Sequence, residues 1–148
     1  MGGIDNDQKG DWHSGDEMER RFTGRTILLM DDEESILEAF GDLLAMKGFL
    51  VLTARNGNEA ISLYRAAMED QKPVDVVVLD LIIPGGMGGI ETMKRLKEMD
   101  PRVCALISSG LTPVTGDDYA SLGFAGTMPK PYRWRDLMLA INDALHRK

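Results

Sequence analysis

The sequence lacks several features that would assign a chain to a class of protein at once. Cys104 is its only cysteine, so no disulfide bond can form within the chain. None of its apolar runs approaches the roughly 20 residues that cross a bilayer. Its N-terminus is polar and acidic, where a secretory signal would carry an apolar stretch. We therefore expect a cytoplasmic location.

Positive charge and phosphate-binding glycine motifs are also scarce. The chain has 17 lysines and arginines against 24 acidic residues, a net charge of -7. Proteins that bind nucleic acid or anionic membranes usually carry a basic patch, so we expect neither partner. The sequence also has no G-x-G-x-x-G after its first apolar run and no G-x-x-x-x-G-K-[ST]. These absences argue against a dinucleotide-binding oxidoreductase and against a nucleotide hydrolase.

The length and composition of the chain indicate one folded domain with a polar extension. A length of 148 residues with 43% hydrophobic and 28% charged composition is typical of a single globular domain. Residues 1–25 show no sustained apolar periodicity, so we expect a disordered tail or linker there. Residues 26–148 are expected to form the domain.

From residue 26 onward, short apolar runs alternate with amphipathic segments. Strands are predicted at 26–30, 49–54, 74–79, 103–107 and 124–128, and helices at 33–47, 59–69, 90–99, 117–122 and 134–146. Gly48 and Gly123 stand where two of the helices should end. Five strand–helix units in succession predict an α/β fold, a doubly wound five-stranded parallel sheet with helices on both faces.

Polar side chains follow four of the predicted strands at the point where each strand ends. Because the carboxyl ends of parallel strands meet at one edge of the sheet, we expect these side chains to converge. They comprise three carboxylates, two neighbouring hydroxyls and one lysine between two prolines: Asp31, Asp32, Asp80, Ser108, Ser109 and Lys130. The function of the chain is expected at this edge.

The grouping of three carboxylates limits the chemistry of the edge. Like charges held side by side disfavour one another, so we do not expect Asp31, Asp32 and Asp80 all to stay ionised together without a cation. Oxygen ligands in a watery site favour Mg²⁺, with Mn²⁺ as an alternative. Lys130 adds a second positive charge, which suits a phosphoryl group. Asp80 is the natural nucleophile, since a carboxylate can form an aspartyl phosphate without a strong base.

Simpler roles exist for the same residues. Asp32 could cap the first helix, Lys130 could be a solvated charge, and the serines could merely terminate a strand. These roles are compatible with a phosphoryl-transfer site. Four methionines at helical spacing are expected to fill the core: Met46, Met93, Met99 and Met138.

In these motifs the sequence resembles the receiver domain of two-component response regulators, over residues 25–148. The resemblance lies in the acidic pair after the first strand, the aspartate ending the third strand, Pro84 four residues later, and Lys130-Pro131. It is closest to receivers at the C-terminus of hybrid sensor histidine kinases, which look similar at residues 84–89, 108–110 and 130–132.

The resemblance implies a flavodoxin-like fold with strand order 2-1-3-4-5. It also implies that Asp80 accepts a phosphoryl group from the phosphohistidine of a histidine kinase or a histidine phosphotransfer protein. Such a domain catalyses its own phosphorylation and slow dephosphorylation without being a turnover enzyme. The alternative is a receiver-like docking module that binds a kinase without being phosphorylated. A weak homodimer and a stand-alone shuttle also remain open.

The same resemblance implies a ligand set for Mg²⁺. Asp32, Asp80 and the backbone carbonyl of Ile82 would bind the ion directly, and Asp31 would bind it through water. Lys130 and a serine hydroxyl would contact the phosphoryl group. The following Gly110 favours Ser109 over Ser108 as that hydroxyl.

Two departures from the family pattern, and one pair of apolar residues, bear on function. Thr127 stands where many receivers have a switch aromatic residue, and the glycine-rich loop at 85–89 is one residue longer than usual and expected to be flexible. Ile82 and Leu111, which should flank the phosphoryl group, are both apolar. Neither can orient an attacking water, so we expect a long-lived aspartyl phosphate.

Overall fold

The protein is described by a computed structural model over residues 23–110 and 116–146. These residues contain five strands: β1 (Thr26–Met30), β2 (Leu50–Ala54), β3 (Val76–Asp80), β4 (Ala105–Ser109) and β5 (Gly126–Pro129). The same residues form five helices: α1 (Glu34–Met46), α2 (Gly57–Glu69), α3 (Gly89–Met99), α4 (Gly116–Ser121) and α5 (Trp134–His146). The predicted alternation of strands and helices is confirmed.

The strands form one parallel sheet in the order β2-β1-β3-β4-β5. Every residue of β1 and β3 is buried, because both strands are central and helices cover the sheet on both faces. One core cluster receives side chains from α2, α3 and α4, and the other receives them from α1 and α5. The doubly wound fold predicted from the sequence is therefore correct.

The boundaries of the elements differ from prediction in both directions. β3, β4 and β5 each begin two residues later than predicted, because the apolar run starts before the strand pairing does. Other boundaries lie beyond the predicted ones, where local hydrogen bonds extend the element. β4 runs through Ser109, two residues beyond its predicted end, because Ser108 and Ser109 pair with residues of neighbouring strands. α2 begins at Gly57, two residues early, because the Asn56 side chain accepts a hydrogen bond from the Glu59 amide at 3.0 Å. Gly48 has a positive φ of 100° at the end of α1, as expected of a helix C-terminus.

The prediction that the four methionines fill the core is wrong for one of them. Met93 is fully buried, and Met99 and Met138 pack against the two core clusters. Met46 is 80% exposed. It follows the buried Leu44 by two residues, about 200° around the helix, and therefore points away from the sheet.

Two predictions fall outside the described residues. The proposed tail at 1–25 lies there except for its last three residues, and so does Leu111. Among the described residues, no helix is long and apolar enough to span a membrane.

Candidate phosphoryl-acceptor and metal site

The site is centred on Asp80, the last residue of β3. The strand carries the residue to the edge of the sheet, where Asp80 is only 6% exposed and lies in register with Ser108 of β4. The Leu81 amide donates to the Ser108 carbonyl at 2.8 Å and holds the chain to β4 for one more residue. The carboxylate of Asp80 is thus fixed at the mouth of the sheet, as predicted.

The acidic pair lies beside it, directly after β1. The Asp31 amide donates to the Ala54 carbonyl at 3.0 Å, which continues the pairing with β2, and Asp31 is 3% exposed. Its Oδ1 accepts a hydrogen bond from the Glu33 amide at 2.9 Å. Asp32 is exposed, and Glu33 is the N-cap residue of α1. The helix-capping role considered for Asp32 is therefore wrong, and the carboxylate of Asp31 takes the nearby amide instead.

Lys130 joins these two carboxylates. It follows β5, and its amide donates to the Ser109 carbonyl at 2.8 Å, so the backbone position is set by β4. Its Nζ donates to Asp31 Oδ2 at 2.7 Å and to Asp80 Oδ2 at 3.1 Å. The Lys130 side chain is 16% exposed, so the lysine is a largely buried counter-charge shared by both acids, and the interpretation of Lys130 as a solvated surface charge is wrong.

Burial and the neighbouring charges act in opposite directions on the pKa of Lys130. Burial lowers the pKa of the Lys130 ammonium, but its hydrogen bonds to Asp31 and Asp80 and their charges outweigh burial, so the pKa is raised. Burial raises the pKa of Asp80, and the charge of Asp31 adds to the effect, although Lys130 opposes it. The lysine stays charged, while the surroundings of Asp80 disfavour the charged form of its carboxyl group.

The three carboxylates form one group. One oxygen from each of Asp31, Asp32 and Asp80 lies within 4.8 Å of the others. All three donors are carboxylate oxygens, the kind that hard divalent cations prefer, and Asp32 opens the group to solvent. The residues therefore fit a Mg²⁺ ion that keeps some of its water.

The sheet register bears on the choice of hydroxyl. Ser108 lies opposite Asp80 and is 1% exposed, whereas Ser109 lies opposite Pro129. Neighbouring residues of a strand point to opposite faces, and register partners share a face. The register thus favours Ser108 as the hydroxyl beside the acceptor, against the preference for Ser109 drawn from the sequence.

This arrangement of acids and lysine on a 2-1-3-4-5 sheet can be compared with known proteins. The model of the response regulator receiver domain family matches residues 27–142. The chain belongs to this family. Receiver domains typically bind Mg²⁺ at their acidic pocket and interact with histidine kinases or phosphotransfer proteins.

Individual relatives agree with the assignment. The transcriptional regulatory protein CpxR of Klebsiella pneumoniae is 33% identical over 124 residues, covering 82% of this chain and 49% of CpxR. The response regulator SaeR of Staphylococcus aureus is 30% identical over 122 residues, covering 82% of this chain and 50% of SaeR. This receiver chain thus spans about half the length of the curated relatives it matches.

A solved structure supports the same conclusion. The crystal structure of a response regulator receiver domain protein from Clostridium thermocellum matches this chain with a TM-score of 0.72 and 30% identity. The match covers 83% of this chain and 95% of that one. The fold of the receiver is therefore shared over nearly the whole length of a solved relative.

The glycines after the acceptor have a role that the sequence did not reveal. A Cβ at Gly89 would lie 2.7 Å from the Asp80 carbonyl oxygen and 2.5 Å from Ile107 Cδ1, so α3 of the receiver begins in direct contact with the acceptor strand. The Gly89 amide donates to the Leu81 carbonyl at 3.1 Å. The glycine run, interpreted from the sequence as a flexible loop, includes a position where only glycine fits.

The raised pKa of Asp80 predicts a stabilising substitution. Asp80→Asn should raise the urea midpoint of the receiver in Mg²⁺-free buffer at neutral pH, because it removes a carboxyl group whose charged form is disfavoured by burial. An acid with a raised pKa in the folded state loses stability as pH rises from its unfolded pKa through its folded one. The stability that Asp80→Asn adds should therefore decrease as pH falls through the pKa of Asp80 in the folded state.

Urea unfolding of both proteins across a pH series measures this gain. Asp143→Asn on α5 is the control, because Asp143 is exposed and its replacement should change little. A lower midpoint for Asp80→Asn at neutral pH would show that the pairing with Lys130 outweighs burial.

Proposed function

We propose that this receiver accepts a phosphoryl group on Asp80 from a phosphohistidine. One observation carries the proposal: Asp80 ends the central strand β3 with a carboxylate oxygen 3.1 Å from Lys130 Nζ, within the group formed with Asp31 and Asp32. Asp80 supplies the nucleophile, and Lys130 supplies positive charge that a phosphoryl group needs.

The transfer can be written with its bonds balanced. An Asp80 carboxylate oxygen attacks the phosphorus atom, the P–N bond of phosphohistidine breaks, and the imidazole leaves with the electron pair. Lys130, 3.1 Å from Asp80, would pair with a phosphoryl oxygen, and the hydroxyl of Ser108, the register partner of Asp80, would donate to another. Lys130 would then exchange part of its contact with Asp80 for contact with the phosphoryl group.

Mg²⁺ belongs to this proposal as the cofactor. Asp32, Asp80 and the backbone carbonyl of Ile82 would hold the ion, and Asp31 would reach it through water. When bound, Mg²⁺ supplies positive charge that offsets the negative charge of the carboxylates and of the phosphoryl oxygens. The protein's own contribution is the fixed placement of its oxygen ligands and of Lys130.

The cellular setting is also part of the proposal. We infer a cytoplasmic receiver that takes its phosphoryl group from a histidine kinase or a histidine phosphotransfer protein and passes on a conformational or relay signal. The motifs at 84–89 and 130–132 favour an origin within a hybrid histidine kinase. A docking module without phosphorylation is not favoured, because Lys130 pairs with both Asp31 and Asp80, and Asp32 has an oxygen within 4.8 Å of theirs.

Intact-mass spectrometry with acetyl phosphate tests the acceptor function. The wild-type chain should gain one phosphoryl group when Mg²⁺ is present and none when Mg²⁺ is chelated, and Asp80→Asn should gain none. Asp75→Asn is the matched control, since Asp75 lies just before β3 and pairs with Arg25 and the Thr26 amide. It should be phosphorylated like the wild type. A phosphoryl adduct of equal yield in Asp80→Asn would refute the proposal.

A further inference from the structure

The loop between β3 and α3, residues 81–88, carries Ile82 and is fixed at its first residue. Leu81 is bound to β4 through its amide and to Gly89 of α3 through its carbonyl, as described above. Beyond Leu81 the loop contains Gly85, with a positive φ of 73°, and two further glycines before α3. Ile83 is buried in the core and its carbonyl accepts a hydrogen bond from the Gly86 amide at 3.0 Å, so the start of the loop is fixed as far as Ile83. The glycine-rich part that follows needs a second fixed point to hold one conformation.

Met87 provides that second point. Its carbonyl accepts a hydrogen bond from the Gly57 amide at 2.9 Å, which joins the loop to the start of α2. A Cβ at Gly57 would lie 2.7 Å from both Cγ and Sδ of Met87, so the methionine side chain lies directly on the Gly57 backbone. Backbone and side chain of Met87 thus contact the same residue of α2.

Thr92 of α3 contacts Gly57 beside Met87. Thr92 is fully buried, its Oγ1 donates to the Gly88 carbonyl at 2.7 Å, and the same oxygen lies against Gly57. Met87 therefore packs where Gly57 of α2 leaves space, and Thr92 of α3 binds the end of the loop beside it.

From these contacts we infer that Met87 is a positioning residue that sets the affinity of the acceptor site for Mg²⁺ by holding the loop that carries the Ile82 carbonyl. The inference rests on the proposed function. If the loop loses its anchor at Met87, binding of the ion must also order the glycine-rich segment, and the cost of ordering weakens binding. Supporting residues of metal sites typically change affinity by roughly 10-fold to 100-fold when replaced.

Three variants test the inference. Met87→Ala removes the side chain that packs against Gly57, and Met87→Leu replaces it with one of similar volume. Met138→Ala removes the same atoms from α5, on the other face of the sheet. Met87→Val truncates less and gives the same test should Met87→Ala fail to fold. Mg²⁺ affinity is measured by titration calorimetry, and amide exchange by NMR in Mg²⁺-free buffer.

We expect Met87→Ala to bind Mg²⁺ about 10-fold more weakly and its Gly57 amide to exchange faster even without the ion. Met87→Leu should stay near wild-type affinity, and Met138→Ala should unfold at lower urea with unchanged affinity. Wild-type affinity in both Met87→Ala and Met87→Val would overturn the inference and leave the proposed function standing. A wild-type chain that binds no Mg²⁺ would overturn both.

Discussion

Replacing Lys130 with methionine is expected to lower the free energy of unfolding by about 3–5 kcal/mol in Mg²⁺-free buffer. The substitution keeps much of the side-chain volume but removes the ammonium group that contacts Asp31 at 2.7 Å and Asp80 at 3.1 Å. Two nearly buried carboxylates would then face each other without a counter-charge. Urea unfolding monitored by circular dichroism measures the loss.

Two comparisons isolate the charge. Lys94→Met on α3 is the matched control, because Lys94 is exposed and its loss should cost far less. Saturating Mg²⁺ should recover part of the stability of Lys130→Met, since an ion that binds only the folded state stabilises it. A loss in Lys130→Met no larger than that in Lys94→Met would contradict the view that Lys130 neutralises the acidic group.

Replacing Ile82 with asparagine is expected to shorten the lifetime of the aspartyl phosphate roughly 10-fold, less than the 10²–10⁴-fold of a full general base. Ile82 lies two residues past the acceptor, and its side chain is 51% exposed at the mouth of the site. An apolar side chain there cannot hold a water in line with the phosphorus atom, whereas an amide can. Decay of the phosphorylated mass after removal of the phosphodonor measures the lifetime.

Ile82→Val serves as the control, because it keeps an apolar side chain at the same place and should leave the lifetime unchanged. The backbone carbonyl of residue 82 is retained in both variants, so Mg²⁺ binding should be similar. Equal lifetimes for Ile82→Asn and the wild type would show that another feature limits access of water to the phosphoryl group.

Most of the fold follows from patterns that the sequence displays directly. The β-branched run that ends at Asp80 can be satisfied only in a buried central strand, and the structure places it between β1 and β4. The last helix, Trp134–His146, has the predicted bounds because its apolar spacing is regular. Boundaries were missed where the apolar run began before the strand pairing, as at the starts of β3, β4 and β5, and where a hydrogen bond outside the apolar pattern extended an element, as at Asn56.

Only part of the candidate site could be predicted from such patterns. Asp31, Asp80 and Lys130 could be brought together from sequence because each follows a strand of a parallel sheet. The preference between Ser108 and Ser109 depends on register, which alternation alone does not determine. The contact between Met87 and Gly57 joins the loop before α3 to the start of α2, 30 residues earlier in the sequence, and only the packing of α2 against α3 reveals it.

The most direct test of the account locates the phosphoryl group on the chain. The receiver is phosphorylated with acetyl phosphate and Mg²⁺, the acyl phosphate is reduced with borohydride to convert the modified aspartate to homoserine, and peptides are sequenced by mass spectrometry. We predict homoserine at position 80 and unchanged aspartate at positions 31 and 32. Homoserine at position 31 or 32, with Asp80 unmodified, would contradict the account.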